Sequence, residues 1–177
     1  MAVPTVLRRV AGIFGNTLLF SLHLLFGLLL CLYLSYKVFE RQFAIDALPA
    51  GIEPSSVVLL SGESGFREGC GAAVFRLSGY TRKRLLQEGG AFLESARQAR
   101  GYGSSYYSYE PWQETPVPGG FTSEGGWPPL WCAGIDTRLA RRIHTAMQAP
   151  GAFYSIKPEG LLLLIPDEGL IVSGYDG

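Results

Sequence analysis

A run of 27 residues without a charged side chain, residues 10–36, constrains this chain more than any other feature. Ten of the residues in the run are leucine. An α-helix rises about 1.5 Å per residue, so about 20 apolar residues cross a hydrocarbon core of roughly 30 Å. Tyr33 and Tyr36 lie at the second boundary of the run, where amphipathic rings favour the headgroup level. The sequence therefore predicts a transmembrane helix over residues 10–36, preceded by a short basic tail, residues 1–9.

A cleaved signal peptide is the competing interpretation of this run. Such peptides have an apolar core of roughly 7–15 residues followed by a cleavage site of small residues. The run here is far longer, and the segment that follows it, residues 43–47, offers no good cleavage site. We therefore expect an uncleaved signal anchor, which makes the membrane the first predicted partner of the chain.

Small and polar residues inside the run share one side of the predicted helix. At about 100° per residue, four of them fall within about 60° of one another. Small residues let helix backbones approach in a membrane, and Asn and His side chains can hydrogen-bond across the contact. The pattern predicts a packing stripe against another transmembrane helix, in a homodimer or in a heteromeric membrane complex. The alternative is a plain anchor that tolerates a neutral histidine. The stripe consists of Gly12, Asn16, His23 and Gly27.

The cysteines help to predict on which side of the membrane the soluble part lies. Two Lys or Arg residues lie near each end of the run, so the positive-inside rule favours neither orientation. Cys31 lies inside the run, which leaves Cys70 and Cys132 as the pair in the soluble part. Two cysteines in an exported domain often form a disulfide, and the alternative is two unrelated buried thiols. We therefore expect a disulfide between Cys70 and Cys132, a cytoplasmic N-terminus and a periplasmic domain.

The soluble part has room for one domain with a core of its own. Residues 37–55 are predicted as a juxtamembrane helix and a linker, because two prolines and a glycine lie in residues 48–54. Residues 56–177 are predicted as an α+β domain, with a mostly antiparallel sheet of about five strands and two or three helices on one face.

Apolar periodicity places the elements of this domain. A helical pattern covers residues 81–100, and Gly89 and Gly90 are expected to divide it because glycine disfavours helix. Asp136 is the expected N-cap of a helix over residues 137–148. The predicted strands are residues 57–60, 72–78, 152–156, 161–165 and 170–173.

The aromatic segment, residues 101–131, follows neither a helix nor a strand period. It contains six glycines, five prolines and eight aromatic residues, but no Lys or Arg. Loops longer than about 15 residues are usually functional or disordered, and disordered segments lack aromatic residues. We expect a surface that binds a basic protein or a neutral glycan, and the alternative is that the rings fold back and complete the core. The candidate binding residues are Tyr106, Tyr107, Tyr109, Trp112, Trp127 and Trp131.

No motif in the sequence is strong enough to name a reaction. His144 is the one histidine outside the run, and nothing near it in the sequence favours a Ser/His/Asp triad. Together with Cys70 and Cys132 it supplies at most three zinc ligands, and a disulfide removes two of them. The chain has no phosphate-binding loop, no dinucleotide fingerprint and no basic aromatic platform, and its acidic and basic residues balance at 15 each. The sequence therefore predicts no catalytic, cofactor-binding or metal-ligating residue and no nucleic-acid partner.

These features favour a non-enzymatic accessory or interaction subunit of a bacterial inner-membrane assembly. The bacterial assignment rests on 12 Arg against 3 Lys and a single Asn, a skew typical of a GC-rich genome. One alternative is a membrane-tethered hydrolase of cell-wall glycan, with Glu110, Glu114 and Glu124 as candidate acids in the aromatic segment. The other is a small periplasmic inhibitor or immunity protein.

Overall fold

The computed structural model describes residues 5–64, 69–121 and 127–177, and for residues 5–14, 63 and 64 it describes the backbone alone. The first helix, α1, spans Thr5–Asp46 and includes both the predicted transmembrane run and the helix predicted beyond it. In the described part of the chain, α1 is the one helix that is long and apolar enough to cross a membrane, judged by its length and composition.

The contacts within the chain define two compact units, Met1–Glu40 and Arg41–Gly177. The second unit is built on an antiparallel six-stranded sheet in the order β1-β2-β6-β5-β4-β3, which confirms the predicted α+β class. The strands are β1 Pro54–Ser64, β2 Gly69–Leu77, β3 Gln113–Glu114, β4 Phe153–Lys157, β5 Gly160–Ile165 and β6 Leu170–Asp176. The helices of this unit are α2 Gly79–Glu88, α3 Pro128–Cys132 and α4 Thr137–Gln148.

Both faces of the sheet are covered, so the prediction of helices on one face is wrong. Side chains alternate between the faces of a strand, and in β5 Leu161 and Leu163 join one core while Leu162 and Leu164 join the other. All four leucines are completely buried. The first core also contains residues of α3 and α4, and the second contains residues of α2 and of the chain that follows α1. A continuous apolar run is what a strand buried on both faces requires.

Helix α2 ends at Glu88, where the glycine pair begins. Gly89 has a φ of 58°, a left-handed conformation that glycine adopts without strain. A 3₁₀ turn, Gly89–Leu93, follows, which confirms the predicted division. The continuation of the helix to Arg100 is wrong, because residues 94–100 are not helical.

The proline-containing segment after α1 is part of the domain core. Leu48 and Ile52 are completely buried. Arg100 holds this segment, because its Nη2 donates to the backbone oxygen of Ile52 at 2.6 Å and its Nη1 pairs with Glu53 at 3.1 Å. The chain therefore enters the core two residues after α1 ends at Asp46.

The last third of the chain follows the sequence prediction closely. Helix α4 has the predicted bounds, and the Asp136 carboxylate accepts the backbone N–H groups of Arg138 at 2.9 Å and Leu139 at 3.3 Å. Ile143 and Met147 bury the apolar face of the helix against the first core. Strands β4, β5 and β6 form the predicted antiparallel meander.

Candidate functional site

The aromatic segment is folded into short elements rather than left as one loop. It contains the 3₁₀ turns Ser105–Tyr107 and Gly119–Phe121, strand β3 and helix α3. Strand β3 pairs with β4 and so attaches the middle of the segment to the sheet. Residues 122–126, which include the candidate acid Glu124, lie outside the described part of the chain.

Two of the six predicted binding rings lie in the core. Tyr109 is 2% exposed and Trp127 is 3% exposed. The hydroxyl of Tyr109 donates to the backbone oxygen of Ala47 at 2.7 Å. The ring of Trp127 lies against Gly174, where a β-carbon would collide with it. The two rings belong to opposite faces of the sheet, so core cover is the correct interpretation for both.

Trp112 has an intermediate position. Its indole packs against the second core, and its Nε1 donates to the backbone oxygen of Ala96 at 2.7 Å. The Nε1–H of a tryptophan is a donor with no acceptor capacity, so this bond satisfies the polar part of the ring. The contact also links the aromatic segment to the irregular chain after α2.

An aromatic cluster is formed by Phe43, Tyr102, Tyr106 and Tyr107, of which Phe43 and Tyr106 are exposed and the other two are half-buried. The rings of Tyr102 and Tyr107 are stacked with centroids 4.2 Å apart, and Tyr106 meets Tyr107 edge-on at 5.2 Å. Phe43, in the last turns of α1, lies 5.4 Å from Tyr102. Offset and edge-to-face pairs of this kind fix ring orientation. The predicted residues Tyr106 and Tyr107 are therefore brought together, along with two rings that the sequence analysis did not select.

Tyr106 is attached to the turn between β4 and β5. Its hydroxyl donates to Glu159 Oε2 at 2.9 Å, and the ammonium of Lys157 lies 5.2 Å from its ring centroid. Burial, with the bond to Glu159, raises the pKa of Tyr106 to about 12. Burial also lowers the pKa of Lys157, whose side chain is almost completely enclosed. Sequence reasoning missed Lys157 and Glu159, because a contact across 53 residues leaves no local signal.

Trp131 is the most exposed of the predicted rings, at 69%. It belongs to α3 and lies between Leu130, which is buried, and Cys132, which is half-buried. Cys132 forms a disulfide with Cys70 of β2, with the two Cα atoms 5.8 Å apart, which confirms the predicted bridge. A short helix cross-linked to the sheet therefore presents this indole to solvent. Exposed tryptophan on a rigid support is typical of the residues that dominate binding energy at interfaces.

Three residues of the predicted packing stripe lie in the described part of α1, whereas the surroundings of Gly12 lie outside it. His23 Nδ1 is 2.7 Å from the backbone oxygen of Leu19. Because a carbonyl oxygen only accepts, Nδ1 of His23 is the donor in this hydrogen bond. A β-carbon added at Gly27 would meet no atom within 4 Å. Asn16 lies two helical turns before His23 on the same side.

Two of the residues that could take part in a reaction, Glu114 and His144, already contact other groups in the domain. Glu114 accepts the backbone N–H of Gly151 at 3.2 Å, and His144 Nε2 lies 3.0 Å from the side-chain amide of Gln148. Across the described ranges, no three His, Cys, Asp or Glu side chains form a group that could hold a metal ion. Protein-family models, curated proteins and solved structures give no match to this chain. The assignment of a function therefore depends on α1, the disulfide and the exposed rings.

Proposed function

We propose that the protein is a single-pass accessory or interaction subunit of a bacterial inner-membrane assembly. In this proposal α1 crosses the membrane, the N-terminus is cytoplasmic and the α+β domain is periplasmic. The domain acts through contacts with other proteins and not through a reaction of its own.

The observation that carries the proposal is the exposed apolar surface of α1. Its leucines between Leu18 and Leu34 are 45% to 64% exposed. Apolar surface in water costs about 25 cal/mol per Å². A run of ten such side chains is therefore stable only where lipid or another helix covers it.

The disulfide supports an exported location for the domain. Disulfides persist in oxidising compartments such as the periplasm and are rare in the cytosol. The Cys70–Cys132 bridge joins two elements of the α+β domain, which favours that domain as the exported part. An anchor with an exported C-terminal domain leaves the N-terminus in the cytoplasm.

Two surfaces are available for partners in this arrangement. Within the membrane, Nε2 of His23 needs a hydrogen-bond partner, because hydrocarbon provides none, and a neighbouring helix packed on the stripe can supply one. Outside the membrane, Trp131 and the tyrosines of the aromatic cluster belong to a segment without Lys or Arg, and Trp131 and Tyr106 are exposed. That composition favours a basic protein surface, with a neutral glycan as the other ligand class.

Purification from bacterial membranes in a mild detergent tests this proposal. We expect the native chain to be recovered in a stoichiometric complex larger than the chain with its detergent. Gly27→Ile should reduce recovery of the complex, because bulk on the stripe separates the helix backbones. Leu28→Ile, the adjacent substitution off the stripe, is the matched control and should leave recovery unchanged. A monomer in all three preparations contradicts the proposal.

A further inference from the structure

Strand β1 is a long and open edge of the sheet. It is 11 residues long and, among the described residues, pairs with β2 alone, whereas the opposite edge strand β3 has two residues. An edge strand presents a row of unpaired N–H and C=O groups to any other strand. Natural sheets usually protect such an edge by shortness, by lysine or proline, or by bulges.

Residues 59–62 of β1 contain no bulge, charged residue or proline. The register shifts lie between Pro54 and Ser56 and between Val57 and Leu59, so residues 59–64 pair regularly with β2. From residue 55 to residue 62 the strand contains neither a charged residue nor a proline. Val58, at the second shift, is 40% exposed. From residue 59 to residue 62, the regular part of β1 is therefore a neutral edge next to an exposed aliphatic side chain.

The hydrogen bonds of β2 show which groups of β1 point outward. Gly69 in β2 exchanges both of its backbone hydrogen bonds with Gly177, so it faces β6 and not β1. Successive residues of an antiparallel strand face opposite neighbours, so every second residue of β2 from Cys70 onward faces β1. Their partners in β1, which are Leu59, Ser61 and Glu63, therefore bond to β2. The residues between these partners direct their N–H and C=O groups to the open edge. These residues include Leu60 and Gly62, which have no backbone partner among the described residues.

We propose that β1 pairs antiparallel with β1 of a second copy of this chain, which joins the two sheets across a two-fold axis. An isologous pair offers each outward N–H a matching outward C=O, because both strands carry the same alternation. The absence of charge from residue 55 to residue 62 means that no like charges meet within this stretch. A second copy of the chain also brings an open edge strand of the same length as β1. A different protein would need an unpaired edge strand of its own.

The membrane anchor strengthens this pairing. Copies held in one membrane meet at a high effective concentration, so a modest strand interface is sufficient. This contribution rests on the proposed function. The pairing of the strands does not depend on it, and the two are tested separately.

Amide hydrogen exchange on the full chain in detergent tests the pairing without any substitution. The measurement is made at two protein concentrations and one detergent concentration. At the higher concentration, we expect the amides of Leu60 and Gly62 to exchange at least about tenfold more slowly than at the lower one. The amides of Leu59 and Ser61, which face β2, should exchange equally slowly at both. The particle mass measured by light scattering should correspond to two chains at the higher protein concentration and to one chain at the lower.

Two substitutions complete the test. Val58→Lys places a charge on the edge and should abolish both the concentration-dependent protection and the two-chain mass. Leu86→Lys, at an exposed leucine of α2, is the matched control and should keep both. Gly27→Ile should leave the protection at β1 intact, so failure of the stripe and failure of the strand pairing are distinguishable. Rapid exchange of Leu60 and Gly62 at both concentrations overturns the proposal, and so does protection that dilution does not change.

Discussion

Trp127 and Trp131 lie four positions apart in one aromatic segment and have opposite environments. Trp127 is enclosed because Gly174 of β6 leaves space for its ring, and Trp131 is exposed because the neighbouring Leu130 and Cys132 face the domain. Residue type alone could not distinguish the two rings, because the space at Gly174 comes from a distant part of the chain. The sequence therefore located the aromatic residues but could not assign each ring to core or surface.

Substitution of these two tryptophans should separate stability from binding. Trp127→Ala should lower the free energy of unfolding by about 3–5 kcal/mol, because it empties a core position. Trp131→Ala should change it by no more than about 0.5 kcal/mol, because the ring is exposed, and should reduce recovery of the membrane complex. Denaturant unfolding of the two purified variants measures the difference. Equal destabilisation by both substitutions would contradict the assigned environments.

Tyr109 should make the protein sensitive to alkali. Burial raises the pKa of its hydroxyl above the ordinary value of 10.0, so the unfolded chain loses this proton at a lower pH than the folded chain. This contribution to stability is complete below pH 10 and declines as the pH rises further, by up to about 1.4 kcal/mol per pH unit. Tyr109→Phe should cost about 1 kcal/mol at pH 7 through the lost bond to Ala47, and should reduce the alkaline slope.

The matched control for this substitution is Tyr80→Phe. Tyr80 is an exposed tyrosine of α2. Tyr80→Phe controls for the loss of a phenol at the surface, where the hydroxyl accepts a hydrogen bond from Arg84 Nη1 at 2.7 Å. Unfolding curves collected between pH 8 and about pH 11 compare the three proteins. Identical slopes for the native protein and Tyr109→Phe would show that the hydroxyl of Tyr109 is not buried as described.

At the scale of elements, local periodicity in the sequence predicted helices and strands, but it did not indicate which elements pair in the folded chain. Helices α1 and α4 and the meander of β4 to β6 follow patterns that lie within one stretch of sequence. Strand β3 has two residues and exists because β4 offers it a partner, so it has no local pattern. Helix α3 begins with two prolines, a local start signal, but has only five residues and is cross-linked to β2 by the disulfide. The run of Leu161 to Leu164 did contain the signal for a sheet buried on both faces, since a half-exposed strand alternates instead.

The N-cap of α4 is a local feature whose contribution should be measurable. Asp136→Ala should lower the free energy of unfolding by about 1 kcal/mol, because two backbone N–H groups lose their acceptor. Asp136→Asn keeps an acceptor oxygen at the same position and should cost only a few tenths of that amount. Thermal unfolding of both variants at neutral pH tests the assignment. A larger loss for Asp136→Asn than for Asp136→Ala would contradict it.

At the scale of the whole molecule, two features predicted from the sequence determine the account: the apolar helix and the cysteine pair. Both were predictable because each depends on composition rather than on contacts, a long run without charge and two cysteines outside it. The Cys70–Cys132 bridge closes a sequence separation of 62 residues that contains the aromatic segment. In the chain-entropy model, closing a loop of this length contributes about 4 kcal/mol. The aromatic cluster could not be predicted in full, because Phe43 and the turn after β4 reach it only in the folded chain.

Mass spectrometry of the protein from membranes washed with alkaline carbonate, under non-reducing conditions, tests the central claim most directly. Carbonate removes peripheral proteins, so a chain recovered afterwards is held by a membrane-spanning segment. The account predicts a protein that retains the helix Gly15–Asp46 and yields one linked pair of peptides containing Cys70 and Cys132. A soluble product that begins near residue 45, or alkylation of both thiols in intact cells, would contradict a membrane-anchored subunit with an exported domain.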